Sequence, residues 1–508
     1  MKKIRLLNRA TTLLIALAVV FGIAFGAVGV EDLPDAQIEN AVDDALIGDS
    51  ATPADEIVVE ISDGIVTLSG SVNSILAKDR AEKLAETVKG VRGIINQIDV
   101  EPPYRTDTEI NEDIRDALLL DPVTESWEVT SSVMDGKVEL SGAVESWQEK
   151  KLVGKVVKGV RGVKGVDNNI SINYEMDRGD VEIEEEIQAA LRWNAYIDDV
   201  LIEVEVDDAE VELDGTVGSL AEKQAAYREA WVTGVDDVEN ELEVESWARD
   251  ERFRKDKYVD MADSEIEDAI QDAFLYDPRV NVFEITAEID EGYVTLRGTV
   301  DNLKAKRSAA QDARRIVGVW GVNNRIKVAA DEKPSDSKIV RNVKDALLWN
   351  PYVDRHEIDV NVVDNEVYLY GDVDSNFEKA EADDVASTQA GVEQVHNYLA
   401  VQTPTDVAFG TYDEDWYLGD YDWYTTAEFT SPQEDWELEK DIENELFWSP
   451  FVDEDEVEVN VEDGVAELTG TVDSWNERQA ATENAWEAGA GVVDNELTVN
   501  YGPDYYTP

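Results

Sequence analysis

The chain predicts an α+β fold: a tandem array of six small αββαβ domains, each a three-stranded sheet packed by two helices. Three observations carry this. A nine-residue phrase, V-x-L-x-G-x-V-x-S, first seen at Val66–Ser74, recurs six times. An apolar pattern of helical spacing precedes every copy. The copies lie far enough apart, roughly 65–70 residues, for each unit to sustain a core of its own.

The first helix of each unit opens on an Asp three residues before its first apolar anchor: Asp35/Ile38, Asp107/Ile110, Asp180/Ile183, Asp263/Ile266, Asp336/Ile339 and Asp435/Leu438. Further apolar residues follow at i+4 and i+8, such as Val42 and Leu46 or Ile442 and Leu446, which places them on one helix face. Several of these helices stop at a proline signal: Asp121-Pro122, Asp277-Pro278, Asn350-Pro351 and Ser449-Pro450. A first strand follows, for example Ile57-Val58-Val59-Glu60-Ile61.

The phrase itself is the second strand. Its alternating Val, Leu and Val (Val66, Leu68 and Val72 in the first copy) mark one buried face. The glycine inside the alternation stands at Gly70, Gly142, Gly215, Gly298, Gly371 and Gly470. It reads first as a conformational residue, at a bulge or where another backbone comes close, with approach of a ligand or partner backbone as the functional alternative. Ser74, Ser146, Ser219, Asn302, Ser375 and Ser474 then cap the second helix. Glu149, Glu222, Glu378 and Glu477 complete the signature of a capping box. After that helix come a Gly, a short turn and a last strand carrying Asn96, Asn168, Asn240, Asn324, Asn397 or Asn495.

The expected organisation is a signal peptide or N-terminal anchor at 1–30, repeats at 33–101, 106–174 and 180–245, a linker at 246–259, repeats at 260–329 and 335–401, an insert at 402–433, and a last repeat at 434–500. The leader has a basic start (Lys2, Lys3, Arg5, Arg9) and no charge from Ala10 to Val30. Cleavage is the first reading; retention is the alternative, because the run is long enough to span a bilayer. Either way the repeats are expected outside the cytoplasm. The insert sets Trp416, Tyr417, Tyr421, Trp423 and Tyr424 among acids. It reads first as a linker packing on repeat five or six, with a docking segment or a calcium loop as alternatives.

The 508 residues include no Cys and two His, and carry a formal charge of −70. That leaves no thiolate chemistry, little room for His-based chemistry, and a surface that repels nucleic acid. His356 and His396 read as ordinary surface or strand residues. No catalytic, metal or cofactor site stands out, and no enzyme is expected. The basic residues cluster instead. Lys150, Lys151, Lys155, Lys158, Arg161 and Lys164 lie in and just after the second helix of repeat two; Lys304, Lys306, Arg307, Arg314 and Arg315 lie in the same element of repeat four. These cations are candidates for phospholipid or anion contact, a solvated helix face being the plainer reading. Trp193, Trp349 and Trp448, with Tyr276 in the equivalent place, end the first helices. They read first as closing their own repeats' cores, with membrane-interface or interdomain contact as alternatives.

The unit resembles the BON domain. The likeness rests on the amphipathic first helix, the V-x-L-x-G-x-V-x-S phrase and the ending G-V-x-x-V-x-N, as in Gly162–Asn168 and Gly234–Asn240. Repeat six has Gly489-Ala490 in place of Gly-Val. The resemblance implies the αββαβ fold, an envelope location, and a role in binding phospholipid or stabilising membranes, often under osmotic stress; the six glycines above match the family's own. The function so implied is an exported, non-enzymatic envelope protein. Its partner would be a phospholipid surface or, alternatively, an envelope protein or polymer bound without lipid contact.

Overall fold

Each first helix begins at its Asp: Asp35–Gly48, Asp107–Leu120, Asp180–Trp193, Asp263–Leu275, Asp336–Trp349 and Asp435–Trp448. In the computed structural model, which describes residues 33–401 and 434–499 apart from 125–128, 175–177, 250–260, 281–283, 331–333, 355, 357, 463 and 491, that Asp has a second task. Its carboxylate accepts backbone N–H groups from the tip of the hairpin that follows. Asp35 takes those of Asp63 and Gly64 at 2.9 and 3.0 Å, and Asp107 those of Asp135 and Gly136 at 3.0 and 2.9 Å. These turns run through positive φ at both central residues, 54° at Asp63 and 74° at Gly64, the geometry that matches strand twist in a two-residue hairpin. One carboxylate thus locks helix to hairpin in every repeat, down to Gly464 on Asp435 at 3.0 Å. The leader and the 402–433 insert lie outside the described residues.

The recurrent phrase is the central strand of every sheet. In repeat one, Ile57–Ser62 pairs antiparallel with Ile65–Val72, which pairs parallel with Gly93–Val100. The same first–second–last order holds in all six sheets. In repeats two, three, four and six the last strand breaks after its Asn into two short strands, both on the central one. The Asn makes the same bonds in broken and unbroken strands alike. Its side-chain N–H donates to a carbonyl of the second helix (Asn96 to Lys78 at 3.0 Å, Asn168 to Lys150 at 2.8 Å, Asn397 to Lys379 at 2.7 Å), while its Oδ1 accepts the N–H two residues on. Satisfying three half-buried polar groups at once clamps the last strand onto the helix above it.

All six cap side chains accept the N–H three residues on, for example Ser74 from Ala77 at 3.1 Å and Asn302 from Ala305 at 2.8 Å. The capping boxes differ from the expectation in detail. Of these four, Ser146/Glu149 is the pair whose Glu returns to the cap's own N–H. Glu222, Glu378 and Glu477 reach instead to the residue before the cap and to the loop ahead of the first strand: Asp198 N–H at 2.6 Å, Asp354 N–H at 2.7 Å and Asp453 N–H at 2.8 Å. A carboxylate with two donors in different loops ties them together more than a box would.

Inside each repeat the anchors meet the alternating strand residues: Val42, Val66, Leu68 and Ala81 are sealed from solvent, and so are Ile442, Ala466, Leu468 and Ala481. Full burial of each Val or Leu is worth about 1.5–3 kcal/mol. The repeats do not string out. The cores of repeats one and three are continuous, with Trp448 and Phe451 of repeat six and Tyr352 of repeat five packed against them.

One joint recurs. The N–H just before the G-V turn of one repeat donates to the carbonyl of a Trp ending the first helix of another: Lys89 to Trp448 at 2.9 Å, Arg161 to Trp349 at 2.8 Å and Val317 to Trp193 at 2.9 Å. These Trp residues therefore make interdomain joints rather than only closing their own cores; Trp193 packs on the core of repeat four. The carbonyls at a helix C-terminus lack intrahelical donors, so a turn N–H from a neighbour fills a real vacancy.

Candidate functional site

The two basic helices, Trp147–Lys158 and Leu303–Arg314, sit at joints between repeats. Lys158 Nζ lies 2.7 Å from Asp79 of repeat one. The Arg161 guanidinium donates to the carbonyls of Asn350 and Val353 at 2.8 and 2.9 Å, capping the first helix of repeat five where its dipole is negative. Lys304 pairs with Asp384 at 2.9 Å and Arg307 with Asp383 at 2.8 Å, both in the second helix of repeat five. The Asn302 side chain reaches the Thr388 carbonyl at 3.0 Å, and Gly391 N–H the Asp301 carbonyl at 2.8 Å, along the same joint. Asp383 is buried, which pushes its carboxyl up, while Arg307 pulls it down. Breaking such a pair strands a charge, so these contacts fix how the repeats sit.

The other cations divide between half-buried and exposed places. Lys151 lies 5.2 Å over the Trp147 ring, which stacks on Trp231 of repeat three at 5.2 Å. Lys155 and Arg315 line a cleft of about 260 Å³ between repeats two, three and four. Arg315 is 3.8 Å from Asp312, and Arg314 is engaged with neighbouring groups. Lys150 and Lys306 are half-buried and offer their backbone carbonyls to Asn168 and Asn324; Lys164 is exposed. The structure thus brings together Lys304 and Arg307 with two acids, and does not gather the candidate cations on one face.

The cleft has charges of both signs. Trp147, Trp193 and Tyr276 supply its apolar walls, and Glu186, Asp272, Arg228 and Arg279 its polar ones. Arg279 is held by Asp121 at 3.2 Å, and the Tyr276 hydroxyl donates to Glu186. Burial, then Glu186, pushes the Asp272 carboxyl up. Among the described residues no group of three or more His, Cys, Asp or Glu is placed to hold a metal. The sequence missed Asp79, Asp383 and Asp384. Asp383 and Asp384 lie in a run of acids and Asp79 stands between Lys78 and Arg80, and the partner of each is in another repeat.

Acids also meet acids. Where repeat six docks on repeat one, Glu445, Glu483 and Glu487 gather beside Asp44 and Asp49. Burial, then repulsion from Glu487, pushes Glu445 up to about 8. Burial pushes Glu487 up to about 7 against the pull of Asn484 and Arg80, and pushes Glu483 well up. A carboxyl raised above its unfolded value of 4.5 costs the folded state nothing while both forms are protonated. It destabilises the fold progressively as pH climbs through the window up to the folded value. The docking of repeat six therefore weakens between about pH 5 and 8. Thermal melting is expected at lower temperature at pH 8.5 than at pH 6, with the gap narrowed in Glu445→Gln/Glu487→Gln; an unchanged gap contradicts the assignment.

The model of the family described as "BON domain" matches residues 34–102, 106–174, 179–246, 262–330, 335–403 and 434–501. Osmotically-inducible protein Y of Escherichia coli (strain K12) is 31% identical over 145 residues, 27% of this chain and 72% of that protein. A protein of Anaplasma centrale, described as "Uncharacterized protein in gshII 5'region", is 30% identical over 124 residues, 23% of this chain and 82% of its own length. Two structures of CdsD, a structural protein of the type III secretion system of Chlamydia trachomatis, align with 41% and 44% of this chain and 91% and 98% of theirs. Their identities are 11% and 16% and both TM-scores are 0.12, overlaps too slight to bear on function.

Proposed function

The chain belongs to the BON domain family, and from that premise we propose that it is an exported, non-enzymatic protein of the cell envelope that serves under osmotic or related stress. It acts as one body of six repeats that binds an envelope protein or polymer through its outward sheet faces. The leader at 1–30 supports export, and the likeness to an osmotically inducible protein supports the stress setting.

The observation that carries the binding mode is the placement of the cations. Lys158, Arg161, Lys304 and Arg307 face partners in other repeats, while the chain as a whole carries a charge of −70. Such a surface is repelled by anionic bilayers. The competing reading, in which Lys150, Lys151, Lys155 and Lys158 meet phospholipid head groups, requires Lys158 to give up Asp79.

Co-sedimentation with anionic and neutral vesicles, with and without calcium and at two salt concentrations, decides between them. The expected result is no sedimentation under any of these conditions. Salt-sensitive sedimentation with anionic vesicles that disappears when those four lysines become Gln would overturn the proposal in favour of lipid.

A further inference from the structure

The outward face of repeat five is unlike that of its five neighbours. Its strands Ile358–Val363, Glu366–Val373 and Gln394–Val401 send Val367 and Leu369 into the core. Alternate residues turn outward, and there Tyr368 sits opposite His396 and Tyr370 opposite Tyr398. The Tyr368 and His396 rings stack at 4.5 Å and 19°, Tyr370 and Tyr398 at 5.3 Å and 12°, and His396 lies 6.4 Å and 8° from Tyr398. Four rings thus stand nearly parallel. Tyr370 is 45% and Tyr398 58% exposed, and among the described residues Tyr398 lies on the edge strand of its sheet.

In the other repeats the place of Tyr370 is taken by Ser69, Ser141, Asp214, Arg297 or Thr469, and those sheets form without it. Cross-strand stacking adds stability, but an exposed aromatic row also invites unwanted pairing, so its presence in one repeat calls for a use.

We propose that this face is a binding platform for a neutral glycan chain. Pyranose rings present polarised C–H groups that suit the negative face of an aromatic ring. Their hydroxyls find donors and acceptors in exposed Asp359, Asn361 and Gln394 at the rim. The Glu366 carboxylate accepts from the Tyr368 hydroxyl and from His396 Nε2, both at 3.0 Å, and so fixes two of the rings. The outward positions of these three strands include no Lys or Arg, and the chain is strongly acidic, which disfavours an anionic polymer. This platform rests on the reading that outward sheet faces, not basic helices, meet the envelope.

The test is affinity electrophoresis of the full chain through native gels containing hydroxyethylcellulose or dextran, with polygalacturonate as the acidic control. Retardation by a neutral polysaccharide is expected, insensitive to salt and absent with polygalacturonate. In the variant Tyr368→Thr, Tyr370→Ser, His396→Ile, Tyr398→Gln, every new residue is the one repeat one carries at that place, so the strands can hold it. Binding in this variant should weaken about tenfold or more, while Tyr370→Phe/Tyr398→Phe keeps it.

No retardation in either neutral gel, or equal retardation of the fourfold variant, overturns the platform. So does self-association of the native chain that the fourfold variant loses, since the face would then belong to a second copy. Vesicle binding through the basic helices would sink the proposed function while leaving the gel result to stand by itself, so the two failures are distinguishable.

Discussion

Gly470→Ala is expected to cost at least about 3 kcal/mol and to unfold repeat six. The residue stands at φ +133°, a conformation L side chains rarely adopt, in the middle of a strand that must keep its register with Val457–Glu462. A Cβ placed there would overlap the backbone carbonyl oxygen of Glu456, which has no flexible end to move aside. The strand pair would have to part, and with it Ala466 and Leu468 would leave the core. The same clash recurs in other repeats, with the Glu56, Leu201 and Glu284 carbonyls facing Gly70, Gly215 and Gly298. Gly48→Ala is the control: nothing lies within 4 Å of a Cβ built there, so that variant should be neutral or slightly stabilised. Urea unfolding followed by far-UV circular dichroism measures both. Equal midpoints for the two variants would contradict this account of the glycine.

Arg80→Met is expected to cost about 3–5 kcal/mol, because it breaks a buried ion pair from one side. Arg80 is 2% exposed, and its Nε donates to Asp49 at 2.6 Å while a second nitrogen pairs with the same carboxylate. Its guanidinium carbon lies 4.5 Å from the centre of the Phe377 ring of repeat five, and its charge holds down Glu487 of repeat six. The side chain thus joins three repeats. Removing it leaves Asp49 buried with only the Ala51 and Thr52 N–H groups, each at 2.9 Å. Adding Asp49→Asn should restore part of the loss, since it removes the stranded charge. The urea midpoint reads both variants. A loss under about 1 kcal/mol for Arg80→Met would show that the pair is solvated.

How much of this was legible in the chain depends on distance along it. The phrase around Leu68 and Gly70, the caps at Ser74 and Asn302 and the anchors Ile38, Val42 and Leu46 are local patterns, and local patterns give the αββαβ unit. The Asp and Asn of each repeat were visible as recurrences. Their tasks were not, because Asp35 bonds Gly64 and Asn96 bonds Lys78 only after the repeat closes.

The relations between repeats were hidden altogether. In sequence Lys304 sits in a basic helix and Asp384 in an acidic run, and 80 residues separate them; only the joint makes them a pair. The Trp residues were read first as core closers, because one helix end shows its own repeat and not the turn that docks on it. Tyr368, Tyr370 and Tyr398 follow ordinary strand alternation, and only the register shows them stacked.

Small-angle scattering tests most directly the claim that the cations hold the repeats together. A single folded body of this length has a radius of gyration of about 24 Å, whereas a string of separate units would be clearly larger. The smaller value is expected for the native chain, and a clear expansion for Lys158→Gln/Arg161→Gln/Lys304→Gln/Arg307→Gln. A native chain already as extended as a string, or a fourfold variant of unchanged size, would contradict it and return those side chains to the surface, available to lipid.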